Sequence, residues 1–128
     1  MTRAGIALGF VAAFAVQTAS ACMIANRDGE EAEGRLERVK ITTEAYDQTE
    51  TAFILLLPKP ACLEGEDEYD KIESTKRIHI FSMDEKIRRK LSTSVGKTIR
   101  VRGWAFGEHT VHHHAPIVLN VTGFVERR

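Results

Sequence analysis

"KRIHIFSMDEKIRRKLSTSVGKTIRVRGWAFG", residues 76–107, changes its period twice. It opens by alternating, with Ile78 and Ile80 on one face and His79 and Phe81 on the other, the pattern of a strand. Met83, Ile87 and Leu91 then stand four apart with Lys86, Arg88, Arg89 and Lys90 between them, which makes one amphipathic helix. Asp84 sits near the start, where the helix dipole favours a negative charge, and Gly96 follows the end as a stop. From Lys97 the period returns to two: Ile99, Val101 and Ala105 share one face, Arg100, Arg102, Trp104 and Phe106 the other.

Three further strands flank this unit. "GRLERVKITT" (34–43) mixes β-branched and charged residues and reads as half-buried, after a polar lead-in that becomes ordered near Gly34. "TAFILLLPKPAC" (51–62) begins as a short apolar strand and is halted by Pro58 and Pro60. "PIVLNVTGFVE" (116–126) alternates, with Ile117, Leu119, Val121 and Val125 on one side. The order is three strands, a helix, then two strands. It predicts a mainly β protein with the OB-fold, a five-stranded Greek-key barrel whose helix lies between strands 3 and 4. Five strands and one helix are thin for the runner-up, an open β-sandwich. Gly34, Gly103 and Gly123 are placed where a tightly coiled barrel must bend or bulge.

The first 21 residues read as a secretory leader: Arg3, the apolar run "AGIALGFVAAFAV", and small residues at Ala19 and Ala21. The run is shorter than the roughly 20 apolar residues of a membrane span. One domain, 22–128, is expected to follow, periplasmic or secreted, with no transmembrane segment. Removing Arg3 with the leader leaves 17 basic against 18 acidic side chains. That balance gives no general pull toward nucleic acid or membrane. The acidic "EGEDEYD" (64–70) and basic "KIRRK" (86–90) read as solvated surface.

Cys22 and Cys62 are the two cysteines. In an oxidising compartment they would close a loop of about 40 residues, adding about 3–4 kcal/mol in the chain-entropy model. The rival is a lipoprotein acylated at Cys22, but "ASAC" lacks the large aliphatic residue usual three places earlier.

"GEHTVHHHAPIVLNV" (107–121) carries His109, His112, His113 and His114 in the loop between strands 4 and 5. OB-folds bind on the strand 2–3 face, rimmed by this loop and the 1–2 loop. The ligand-binding candidates are therefore these four histidines, with Tyr46 from "EAYDQTE" and His79 from strand 3. The function expected is a non-enzymatic binding module whose partner is an envelope protein or component, or a small ligand. The alternative is an envelope zinc- or copper-binding protein using His109, His112 and His114, with Asp47 or Glu108 supplying an oxygen. A third possibility is that each ring does a separate local job: stacking, bonding a carbonyl, or facing solvent. Ser82, Ser92 and Ser94 show no nucleophile motif and no glycine loop suits phosphate, so no enzyme is expected. Trp104 and Phe106 are expected to lie under the helix or the lead-in; left open, they would form a protein-contact patch.

"PKPAC", "VGKTIRVRG" and "EHTVHHHAPIVLNV" resemble a family of small exported bacterial proteins of unknown function. The resemblance covers Cys22 to Val121, and its most specific part is Thr110, His112, His113, His114 and Pro116. Ala115 departs from the threonine frequent there. The resemblance implies a paired Cys22–Cys62 and the barrel, and it implies no activity.

Overall fold

A computed structural model describes residues 21–44 and 47–126. The expected leader falls on residues 1–20, outside the described residues except for Ala21, and Tyr46 lies outside them too. Six strands and one helix follow in order: β1 (Met23–Ile24), β2 (Glu30–Thr43), β3 (Gln48–Glu64), β4 (Ile72–Phe81), α1 (Glu85–Thr93), β5 (Thr98–Gly107) and β6 (Ile117–Phe124). A 3₁₀ turn, Glu68–Asp70, precedes β4.

The five long strands close into a barrel. β3 pairs with β2 and β4, β5 with β2 and β6, and β4 runs parallel to β6 to seal the ring. β2 can serve two partners because it bends: residues 30–35 pair with β5, and residues 35–43 with β3. Gly34 lies at that change of partner. The helix falls between β4 and β5, the fourth and fifth strands, because the short β1 adds one strand in front of the five expected.

The inward positions of the alternating segments form one core. Leu36, Leu55, Ile78, Ile80, Val101, Ala105, Ile117 and Leu119 have no measurable exposure. Burying each large aliphatic side chain stabilises the fold by about 1.5–3 kcal/mol. The helix adds Leu91, fully buried, and closes the barrel end next to the start of β5. Its first turn is capped by the Asp84 carboxylate, which accepts from the amides of Lys86 (2.8 Å) and Ile87 (3.2 Å). Past its end the Gly96 amide donates to the Leu36 carbonyl at 2.7 Å, fastening the helix to β2.

Two sequence expectations are corrected. The lead-in is ordered from Met23, not from Gly34: β1 lies parallel to β3, and the Asn26 amide donates to the Ala105 carbonyl at 2.8 Å. β3 also continues through Pro58 and Pro60. Its register with β4 shifts between Leu56 and Ala61, so the prolines stand exposed where the ladder is broken and no amide donor is required.

Cys22 and Cys62 form a disulfide that ties the lead-in to the far end of β3. The Cys22 sulfur is thereby used, and a lipid thioether would need that same atom. Among the described residues no helix is long and apolar enough to cross a membrane.

Candidate functional site

β4 directs Ile78 and Ile80 into the barrel and His79 outward, as its alternation requires. The outer face of β2, β3 and β4 is not bare. Ala52 and Ile54, flanked by Val39, Ile41 and Leu56, are covered by Ala115 of the histidine loop. Beside them His79 is only 8% exposed, and its Nδ1 accepts from the His114 amide at 3.2 Å. The loop, residues 108–116, therefore lies down on the face that OB barrels ordinarily offer to ligands. It joins β5 to β6 at the end of the barrel opposite the helix.

Internal bonds hold the loop in shape. The Glu108 amide donates to the Pro116 carbonyl (3.0 Å), the His113 amide to the Thr110 carbonyl (3.1 Å), and the His109 amide to His113 Nδ1 (3.2 Å). Its base is fixed by Asp70. This side chain is 1% exposed, and its Oδ1 accepts from the Gly107 amide at 2.7 Å. Reading the acidic run as solvated surface was therefore wrong at one position. The 3₁₀ turn places Asp70 inside, close against a glycine that has no Cβ to obstruct it.

The loop divides its histidines between two sides. On one side His112 Nδ1 lies 2.9 Å from Glu50 Oε2, and His114 Nε2 lies 3.6 Å from Glu50 Oε1. The latter separation is too long for a hydrogen bond, and the buried His114 Nε2 has no partner. The hydrogen bond from His112, more than its charge, holds the Glu50 carboxyl below the usual range. Glu50 was not singled out from sequence, although its period-two spacing from Ala52 and Ile54 puts it on the outer face.

On the other side His109 and His113 pack edge to face, 4.9 Å apart between centroids. Phe106 lies 5.5 Å from His109 and 5.2 Å from His113, and Tyr69 stacks 4.6 Å from His109. His109 Nδ1 is 2.9 Å from the Gly107 carbonyl, which fixes the ring. These rings, with Asn26, Phe81, Trp104 and Thr110, line a groove of about 430 Å³. Trp104 and Phe106 thus share a groove with Asn26 of the lead-in and with the histidine loop. Tyr69 was hidden in sequence inside an acidic run.

The sequence-predicted residues are therefore only partly together. His109 and His113 share the groove, His112 and His114 share Glu50, and His79 lies beneath the loop. The His109, His112, His114 set considered for zinc or copper is split between the two sides. Neither Asp47 nor Glu108 makes a side-chain hydrogen bond or ion pair with a histidine among the described residues. Among those residues no group of three or more His, Cys, Asp or Glu is arranged to hold a metal ion.

Residues 77–126 match the model of a Domain of unknown function (DUF4431). No curated protein and no solved structure matches the chain. The DUF4431 stretch runs from Arg77 through α1, β5, the histidine loop and β6. It contains His79 and every groove residue except Asn26 and Tyr69. The histidine loop thus falls within the pattern of an uncharacterised family, consistent with the sequence resemblance, while β1, β2 and β3 lie outside the matched stretch.

Burial, and then the neighbouring His114 and His113, holds the His79 pKa at about 4, below its ordinary 6.5. Burial acts in the same direction on His113. Between pH 6.5 and about 4 the unfolded chain protonates at His79 while the folded chain does not. The unfolded state then binds more protons, and stability falls as the pH falls. Solvent screening at the rim of the site reduces the effect to about 1–2 kcal/mol between pH 7 and pH 4.5. Glu50 adds loss of the same sign, because its depressed pKa stabilises only while the carboxyl is ionised. Urea unfolding of His79→Gln at both pH values is expected to show a slope flatter by that amount. An unchanged slope would show that His79 protonates freely in the folded protein.

Proposed function

We propose that the protein is an exported, non-enzymatic binding module of the cell envelope. It takes its partner, an envelope protein or component, in the groove beside the histidine loop. The observation that carries this reading is the groove itself. Aromatic rings of β4, β5 and the 3₁₀ turn meet the imidazoles of His109 and His113 on the outside of a covalently tied barrel, beside a loop whose own bonds keep it shaped in advance. A disulfide suits an oxidising compartment, and the leader read at 1–21 supplies the route. Balanced charge gives no reason to invoke nucleic acid.

A photo-crosslinking side chain at Thr110, which lines the groove, is expected to capture a discrete envelope component in cells. The same group at Lys86 on α1 is expected to capture none. Capture at Lys86 and not at Thr110 would move the binding surface to the helix end.

The zinc or copper reading retains one observation in its favour, the convergence of His112 and His114 on Glu50. It requires one equivalent of metal after loading with zinc or copper, lost in the His112→Ala/His114→Ala double variant. No retained metal would remove it.

A further inference from the structure

The groove has a charged neighbour. Across the 3₁₀ turn lies a hollow of about 330 Å³ lined in part by the exposed acidic residues Glu64, Glu66 and Asp67, with the buried Asp70 behind them. Asn26 lines both spaces, and the consecutive Tyr69 and Asp70 divide them. We propose that this paired site takes the guanidinium or ammonium side chains of a basic peptide segment, one cation over the rings and the flanking charge against the carboxylates.

Three observations support that occupant. First, the groove wall is aromatic: Trp104 (5.7 Å, tilted) and Phe81 (6.3 Å, edge-on) pack against the buried Phe106 and stay half-exposed themselves, and Tyr69, tilted against His109 at 4.6 Å, is exposed. A cation over such a ring face is attracted by the ring quadrupole. Second, the protein's own cations are used elsewhere. Arg38 sits over Phe53 and Lys90 over Phe124, while among the described residues no cation covers Tyr69, Phe81, Trp104 or Phe106. Third, the carboxylates are available. Lys71 pairs with Glu68 and Arg27 with Glu30, but among the described residues no Lys or Arg pairs with Glu66 or Asp67. Asp67 is close enough to Tyr69 for its hydrogen bond, and then its charge, to raise the phenol pKa, so the negative potential reaches the groove wall. An anionic ligand would be repelled there. A neutral sugar could stack on the rings but would gain nothing from the carboxylates.

The inference rests on the groove being the binding site, and the experiment separates the two claims. Trp104 is the only tryptophan and stands on the groove wall, so its emission reports occupancy of the intact protein. The probes are a glycine–arginine peptide, the same peptide with citrulline for arginine, and an oligomer of a neutral, N-acetylated amino sugar. The arginine peptide is expected to bind saturably and shift Trp104 emission, with the citrulline peptide weaker by about tenfold or more. Glu66→Gln/Asp67→Asn, at two exposed positions, is expected to weaken the arginine peptide by about fivefold, and raised salt to do the same. Tyr69→Ala tests the ring wall, with circular dichroism to confirm folding. Equal binding of the arginine and citrulline peptides, or no saturable binding of arginine, overturns the cation assignment. If the sugar oligomer alone shifts Trp104, the groove reading stands and the cation falls. If Thr110 also fails to crosslink in cells, the groove reading falls with it.

Discussion

Replacing Cys22 and Cys62 together with serine is expected to cost about 3–4 kcal/mol of stability in denaturant unfolding. The bond closes a loop of 40 residues, and opening it returns that loop's freedom to the unfolded chain. The same bond holds the lead-in, whose two-residue strand has few ladder bonds of its own. Met23 and Ala25 leave with it, so part of the core and one edge of the Asn26 groove lose cover. The oxidised protein with reductant added should reproduce the loss. A double variant within about 0.5 kcal/mol of the parent would show that β1 is held by packing alone.

The second large effect is expected at Gly107. A Cβ built there would lie 1.5 Å from the Tyr69 carbonyl oxygen, a backbone atom that cannot swing aside. Gly107→Ala must therefore push the 3₁₀ turn away from β5. That movement also pulls Asp70 from the Gly107 amide and leaves a buried carboxylate without its donor. Overpacking of this kind costs about 1–3 kcal/mol and the lost charged hydrogen bond about as much again, so a total of about 3 kcal/mol or more is expected. Asp70→Asn keeps an acceptor oxygen and should cost less. Thermal unfolding of the two variants orders them; equal melting would mean that the turn yields without disturbing the barrel.

The barrel was legible because its segments differ in period. Residues 76–107 pass from two to four and back, and only strand, helix, strand satisfies that change. The prolines of β3 misled for a physical reason. A proline ends a strand where an amide must donate, and the shifted register between Leu56 and Ala61 removes that requirement. Asp70 was illegible because one acid within an acidic run carries no mark of burial. Its fate depends on Gly107, 37 residues away. The histidine loop announced itself by composition, but composition cannot say which way each ring turns. That follows from the turn at Thr110, which sends His109 and His113 toward Phe106 while His112 and His114 meet Glu50. Tyr69 joins the groove only because the acidic segment folds back beside β5.

The parallel seam between β4 and β6 sets the timing of assembly. β6 is eight residues long and supplies the partner on one side of both β4 and β5. A nascent chain emerging residue by residue can form the β2–β3 hairpin and add β4, but the ring stays open until Ile117–Phe124 arrives. Contacts so distant in sequence close slowly. The barrel thus cannot close, whatever hairpins have formed before it, until Ile117–Phe124 has been made.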